Sequence, residues 1–284
     1  MSPSHLPPTT AELLPLLYHH CRILFSGSRL PSHDHNHHLR VWNYVTDLLC
    51  ELSENGNVVT DNEIRQLMIA VFFHDAGLTR TLDISHGLES RKLCQDFLDK
   101  NPALSQAGAA AALHAIEFHD LKEALPDSDE SPGMDILKVL TVCDDADAYG
   151  PVGILRYAEI YLLRGIGTGM LAEKVLKNMA HRFDFLSSQE WIPGNFFRKH
   201  QERHRYAAGF YKSLQRSIAS GKKDPVGLKI IETYMDQVYY GTSGFGEFAG
   251  MLMKSSCRET GIFGRELSAE LEQKRQLFPG RDIC

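Results

Sequence analysis

The chain has 284 residues, 43% of them hydrophobic and 23% charged, an ordinary globular balance that suits one large domain or two small ones. Its formal net charge of -6 and pI of about 6.2 exclude a general attraction to nucleic-acid polymers or to anionic membranes. The first apolar cluster (Leu13, Leu14, Leu16, Leu17) is short, broken by Pro15 and without a basic lead-in, and no later run approaches bilayer length, so the chain reads as cytoplasmic.

Helical periodicity dominates in chain order. "AELLPLLYHHCRILF" (11–25) is amphipathic. "HHLRVWNYVTDLLCEL" (37–52) places Val41, Tyr44, Val45, Leu48 and Leu49 at three- and four-residue steps. "DNEIRQLMIAVFFHD" (61–75) repeats the step through Ile64, Leu67, Met68, Val71 and Phe72, with Asp61 as the expected N-cap. "SHGLESRKLCQDFL" (85–98) starts behind Ser85, and "NPALSQAGAAAALHAIEF" (101–118) opens on an Asn-Pro start signal. "MDILKVLTVCDDADAYG" (134–150) and "VGILRYAEIYLLRG" (152–165) continue the series. Beyond them, helices are expected over about 194–219, 225–240, 245–256 and 264–277, with "SGKKDP" (220–225) as a linker or a loop. Strand-like alternation is absent, so the expected class is all-α.

Six cysteines, at 21, 50, 94, 143, 257 and 284, form no C-x-x-C pair, which suits reduced thiols better than a zinc knuckle or a disulfide framework. The fourteen histidines are less ordinary, because His33, His35, His37 and His38 fall within six positions, interleaved with Asp34 and Asn36.

One stretch, "VFFHDAGLTR" (71–80), sets the functional question. His74 and Asp75 follow directly on Val71, Phe72 and Phe73, at the end of a helix that reads as buried. Burying such groups costs several kcal/mol unless something pairs with them. A divalent cation is a natural partner, since imidazole and carboxylate are standard ligands for first-row metals. Other polar residues interrupt apolar faces in the same way. His37 shares a helical face with Val41, Tyr44 and Leu48, whereas His38 is rotated away over Trp42. Asp144 and Asp147 extend the stripe of Leu137 and Leu140. His86 opens a helix, and His119 closes another in register with Ala112 and Ile116.

In combination these residues resemble the HD-domain metal-dependent phosphohydrolases. "HDHNHHLRV" is similar to that family's H-D-x-x-H-x-x-R-V opening and implies a first ligand at His37. "FFHDAG" is similar to the apolar-H-D-x-G core, implying His74 and Asp75. "CDDADAYGPVG" is similar to D-x-L-D-x-x-G, implying Asp144, with Ala146 in place of the usual leucine. The nearest subgroup is the small bacterial hydrolases whose opening reads H-D-x-x-H-x-x-R-V-W. His86 and His119 fall where binuclear members carry two further histidines, although a first-turn residue and a helix-end histidine favoured by the dipole explain them equally well. The G-Y-P extension of the cyclic-dinucleotide phosphodiesterases is replaced by "LKEALPD".

The resemblance covers about 30–165, and the expected organisation is an HD-domain core with its following helices over 30–219, an N-terminal helix (1–29) packed on that bundle, and a C-terminal helical extension (220–284) in the same globule. It also implies a divalent metal (Mn, Fe, Zn, Ni, Co or Mg) in one site, with a second site open to His86 and His119 and Asp75 as the bridge. A small phosphorylated substrate is expected, with no nucleic-acid polymer and no membrane, and a homodimer is compatible with the family. Arg156 and Lys122 are the expected phosphate-binding cations and His33 a further substrate contact. Asp75 and Asp147 complete the expected catalytic set, Asp147 by orienting a ligand or a water. Arg40 fits a structural ion pair as well as a phosphate contact, and Asp145 reads as exposed. Two other functions stay open, a di-iron oxygenase built on six ligands and a ligand-sensing module with a structural metal.

Three motifs are set aside. "GFGEFA" (244–249) follows a helix rather than a strand. "HQERH" (200–204) lacks the glutamate placement of zincins and reads as a solvated helix face. "FFRKHQERHRY" (196–206) reads as surface, with Arg198 or Arg203 as outside candidates for an anionic ligand.

Overall fold

The computed structural model describes residues 10–105, 109–121 and 134–273, and among these it contains thirteen α-helices and no strand. The chain divides into two compact units. One comprises the described residues up to 28 together with 33–144; the other comprises 29–32 and the chain from 145 on.

The first unit is built around α3 (Asp61–Phe73). Every residue of α3 from Leu67 to Phe73 is buried, because α1 (Thr10–Phe25), α2 (His35–Glu54), α4 (His86–Lys100) and α6 (Ala110–Phe118) pack around it. Each large apolar side chain so buried contributes about 1.5–3 kcal/mol. That burial drives the last turn of α3, and with it His74 and Asp75, into the interior. The start of α3 is fixed by a capping box. Thr60 Oγ1 accepts from the Glu63 amide at 3.2 Å, and Glu63 accepts from the Thr60 amide at 2.7 Å. The cap is therefore Thr60, not Asp61: both are capping residues, and only Thr60 has a glutamate three positions on. Asp34 caps α2, accepting from the Asn36 amide at 2.8 Å. The Asn-Pro stretch yields α5 (Pro102–Ser105) and then α6, with 106–108 outside the described residues. A 3-10 turn (Ala76–Thr79) follows α3, and α7 (Ile136–Asp147) completes this part of the chain.

In the second unit α8 (Gly150–Leu163) is buried from Gly150 to Ile160. Around it pack α9 (Thr168–Ser188), α10 (Gly194–Ala219), α11 (Val226–Tyr234) and α13 (Arg258–Gln273). The Tyr211 hydroxyl on α10 donates to the Ile154 carbonyl at 2.7 Å, joining α10 to α8. A π-helical segment (Met235–Tyr239) continues α11, and α12 (Phe245–Met253) packs on α13. Helix α9 was not expected from sequence. Its buried stripe is thin, with only Leu171, Ala172, Val175, Met179 and Leu186 in 21 residues. Helix α13 begins at Arg258, six residues ahead of the expected 264. The run 220–225 is the loop between α10 and α11.

Among the described residues no helix is long and apolar enough to cross a membrane. The five described cysteines are free.

Candidate metal centre

Four side chains from three helices converge in the first unit: His37 from α2, His74 and Asp75 from the end of α3, and Asp144 from α7. The Nε2 atoms of His37 and His74 lie 3.0 Å apart. His37 Nε2 is 3.4 Å from Asp75 Oδ2 and 3.5 Å from Asp144 Oδ1. His74 Nε2 is 3.6 Å from each of the same two oxygens. The other oxygen of Asp75 turns to a second group, with Oδ1 3.5 Å from His86 Nε2 and 3.3 Å from His119 Nε2. None of these six residues is more than 5% exposed.

The backbone decides which face each ring presents. His74 Nδ1 faces the Val71 carbonyl at 2.8 Å, His86 Nδ1 the Asp83 carbonyl at 2.9 Å, and His119 Nδ1 the Ile116 carbonyl at 2.9 Å. A carbonyl can only accept, so each Nδ1 carries the proton and donates it. In the neutral ring the opposite nitrogen, Nε2, then offers a lone pair. Three imidazole lone pairs thus point at carboxylate oxygens, acceptor against acceptor.

That opposition calls for positive charge. Burial alone would push the Asp75 carboxyl up, but His74, His119, His37 and His86 around it hold it well below the usual carboxylate range. Burial pushes His74 down, yet Asp75 and Asp144 outweigh it and raise the imidazole. A divalent cation satisfies every member at once. Metal–ligand bonds of about 2.1 Å place neighbouring donors about 3.0 Å apart in an octahedral shell and about 3.4 Å apart in a tetrahedral one. The 3.0–3.6 Å separations of the first group match such a shell. His74, His86 and His119 also have the Nδ1–carbonyl bond that orients metal-bound imidazole. The donor set therefore fits a divalent metal, with Asp75 placed between two groups of candidate donors.

Close backbone approach builds the second group. A Cβ on Gly77 would lie 2.0 Å from the His86 carbonyl oxygen, and one on Gly87 would lie 2.4 Å from the Glu117 carbonyl oxygen. Both positions need glycine for space, and together they press the start of α4 against the 3-10 turn and the end of α6. The Gly77 amide also donates to Ser90 Oγ at 2.7 Å.

The remaining expected residues divide. His33 is buried, its ring centroid 5.8 Å from that of His37. Asp147 and Arg156 are both buried and pair with each other in the second unit, Arg156 donating at 3.1 Å. Lys122 lies outside the described residues.

Five residues behave differently from expectation. Asp145 is buried rather than exposed, and it accepts from Arg182 on α9. His200 is fully buried and His204 stacks on Phe183 with ring centroids 4.0 Å apart, so "HQERH" is not a solvated face. Arg203 is engaged with protein groups, donating to the Ala146 and Tyr149 carbonyls and to Glu270. His38, also buried, was missed as part of the centre. Its Nδ1 shares the Val71 carbonyl at 3.1 Å with His74, and it groups with His37 and His74. Burial, with His74 and His37 beside it, holds its pKa well below the ordinary value. The dense histidine run was the available signal; helix periodicity turned His38 to a second face of α2, and that face is buried too.

Residues 14–209 match the model of the HD-CE family. No curated protein and no solved structure matches the chain. The matched span is more than half of the chain and contains both donor groups. Taken with the buried histidine–aspartate geometry, it establishes that the chain belongs to the HD-CE family, within the HD-domain superfamily that its motifs resemble.

Proposed function

We propose that the protein is a metal-dependent phosphohydrolase that cleaves an ester or anhydride of a small phosphorylated molecule, with nucleotides among the candidates. The observation that carries this reading is the Asp75 carboxylate, one oxygen directed at His37 and His74 and the other at His86 and His119. His37, His74, Asp75 and Asp144 would hold one divalent ion; Asp75, His86 and His119 would hold a second. Such ions acidify water and neutralise phosphate oxygens.

The chain's own part is to hold these donors rigid. Each Nδ1–carbonyl bond keeps an Nε2 aimed inward, and the burial of all six residues limits competing water. His33, whose ring lies beside that of His37, would meet a substrate oxygen in this reading. Arg156 is engaged with Asp147, so a role in binding phosphate would have to be shared with that pair.

The test is metal analysis of the purified protein followed by phosphate release from a panel of nucleotides and phosphomonoesters. Release is expected with at least one substrate and is lost on chelation and in Asp75→Ala. Metal-loaded protein that releases no phosphate from any substrate would overturn the reading.

The same bridging carboxylate supports a second reading, a di-iron oxygenase. Colour and iron after aerobic purification, with substrate-dependent oxygen uptake, would favour it.

A further inference from the structure

The residues that follow Asp144 are fastened one by one to arginines on three successive helices. Asp145 accepts from Arg182 of α9. The Ala146 carbonyl accepts from Arg203 of α10 at 2.6 Å. Asp147 accepts from Arg156 of α8 at 3.1 Å. The Tyr149 carbonyl accepts from Arg203 again, at 2.8 Å. Asp144 is the donor in this run that belongs to the metal group, and α7 continues unbroken through Asp147.

Arg203 sits at the centre of this arrangement. The last carbonyls of a helix have no partners within it, and a cation there is favoured by the helix dipole. Arg203 supplies both the hydrogen bonds and the charge, and it is itself held by Glu270 of α13 at 2.6 Å. Glu270 in turn accepts from the Val152 amide at 3.3 Å, in the first turn of α8. One arginine–carboxylate pair therefore ties the end of α7 to the start of α8. Gly150 between them adopts φ +76, and a Cβ there would lie 2.8 Å from Glu270 Oε2 and 3.1 Å from Arg203 Nε. A side chain at 150 would collide with the ion pair, so the pair packs this closely against the turn only because the residue is glycine. Charge-assisted hydrogen bonds of this kind are stronger and more directional than neutral ones.

We infer that Arg203, supported by Arg182, is a positioning residue for the metal ligand Asp144, acting along α7 by fixing the last turn of the helix that carries it. The inference rests on the metal reading above. The effect runs through α7 itself, whose last turn is held at 145–147 directly after Asp144.

Cobalt(II) titration followed by visible absorption, with a thermal melt on each protein, tests it. Changes in the groups that orient a ligand weaken metal binding by about 10–100-fold. Arg203→Met is expected to fall in that range, and Arg203→Lys to recover part of the loss. Tyr211→Phe, which removes a buried hydrogen bond in the same unit without touching the run 145–149, is expected to lower the melting temperature and leave cobalt affinity unchanged. If Arg203→Met does not fold, Arg182→Gln carries the same expectation. Wild-type affinity in every folded arginine variant, or an equal loss in Tyr211→Phe, overturns the inference. Failure of the wild-type protein to bind cobalt or any other divalent ion overturns the metal reading itself, and this one with it.

Discussion

His86 and His119 meet edge to face, ring centroids 5.3 Å apart, with both Nε2 atoms turned to the same oxygen of Asp75. The two rings come from opposite ends of different helices, one opening α4 and the other following α6, and each is pinned by a carbonyl three residues earlier in the chain. Under the proposed reading, this arrangement would hold a second cation on the far side of Asp75.

Metal stoichiometry tests that use. Wild-type protein is expected to bind close to two divalent ions per chain and His86→Ala close to one, because His37, His74, Asp75 and Asp144 stay intact. Elemental analysis after dialysis gives the count. One ion in both proteins would assign His86 and His119 to substrate or to structure.

Asp75→Ala removes an oxygen from each group at once. Loss of both metals and of activity is expected, with helical circular dichroism retained, since the helices of this unit are held by the apolar side chains buried around α3 rather than by this carboxylate. Metal content equal to wild type in a folded Asp75→Ala protein would refute the assignment of the centre.

Gly87→Ala tests geometry without touching a ligand. The new methyl would sit 2.4 Å from the Glu117 carbonyl oxygen, which is backbone and cannot swing aside. The start of α4 must then move away from the end of α6, and overpacking of this kind costs about 1–3 kcal/mol. A lower urea midpoint together with loss of the second metal is expected; retention of two metals would show that α4 can shift without carrying His86 with it.

Acid sensitivity has an identified contributor in His204. Burial, followed by the nearby Lys212, lowers its pKa from the ordinary 6.5 to about 4, while the ring stacks on Phe183. The folded state thus binds the proton less readily than the unfolded state. No penalty exists above the ordinary histidine pKa; stability falls as pH drops from about 6.5 to about 4 and levels off below, following proton linkage. His204 is only about half-buried, which damps the effect. His204→Phe keeps an aromatic ring against Phe183 and is expected to lose less stability than wild type between pH 7 and pH 4.5, as read from melting temperatures. Equal losses would exclude His204 as a contributor.

How much of this was legible in the sequence depended on where each residue's partner lies. His37 and Asp144 could be picked out because each continues a stripe of apolar residues along its own helix, a pattern contained within about ten residues. His74 and Asp75 stood out for the same local reason. The convergence of the helices that carry them was expected from the HD resemblance rather than from any spacing. Asp145 was misjudged because its partner Arg182 is 37 positions away, on a helix whose apolar stripe is too thin to notice. His200 was misjudged, and the burial of His38 stayed open, because amphipathic reasoning allows a helix one buried face, while α2 and α10 bury more. The Thr60 cap differs from the expected Asp61 by one residue, a distinction that rests on which side chain Glu63 answers.

Glu63 makes one further connection. Besides closing the capping box at the start of α3, its other oxygen accepts from the Met134 amide at 2.7 Å, just ahead of α7. Helices α3 and α7 therefore share an origin, and each delivers an acidic ligand near its far end, Asp75 beyond one and Asp144 within the other. Each helix acts as a measuring rod, because a helix advances about 1.5 Å and turns about 100° per residue. One residue inserted or deleted in 64–73 or 136–143 would swing a carboxylate to the wrong side of its helix, whereas the loop at 55–59, behind the shared origin, can change length without consequence for the centre. Within this unit, tolerance to insertion should follow the path from Glu63 to the ligands rather than exposure at the surface.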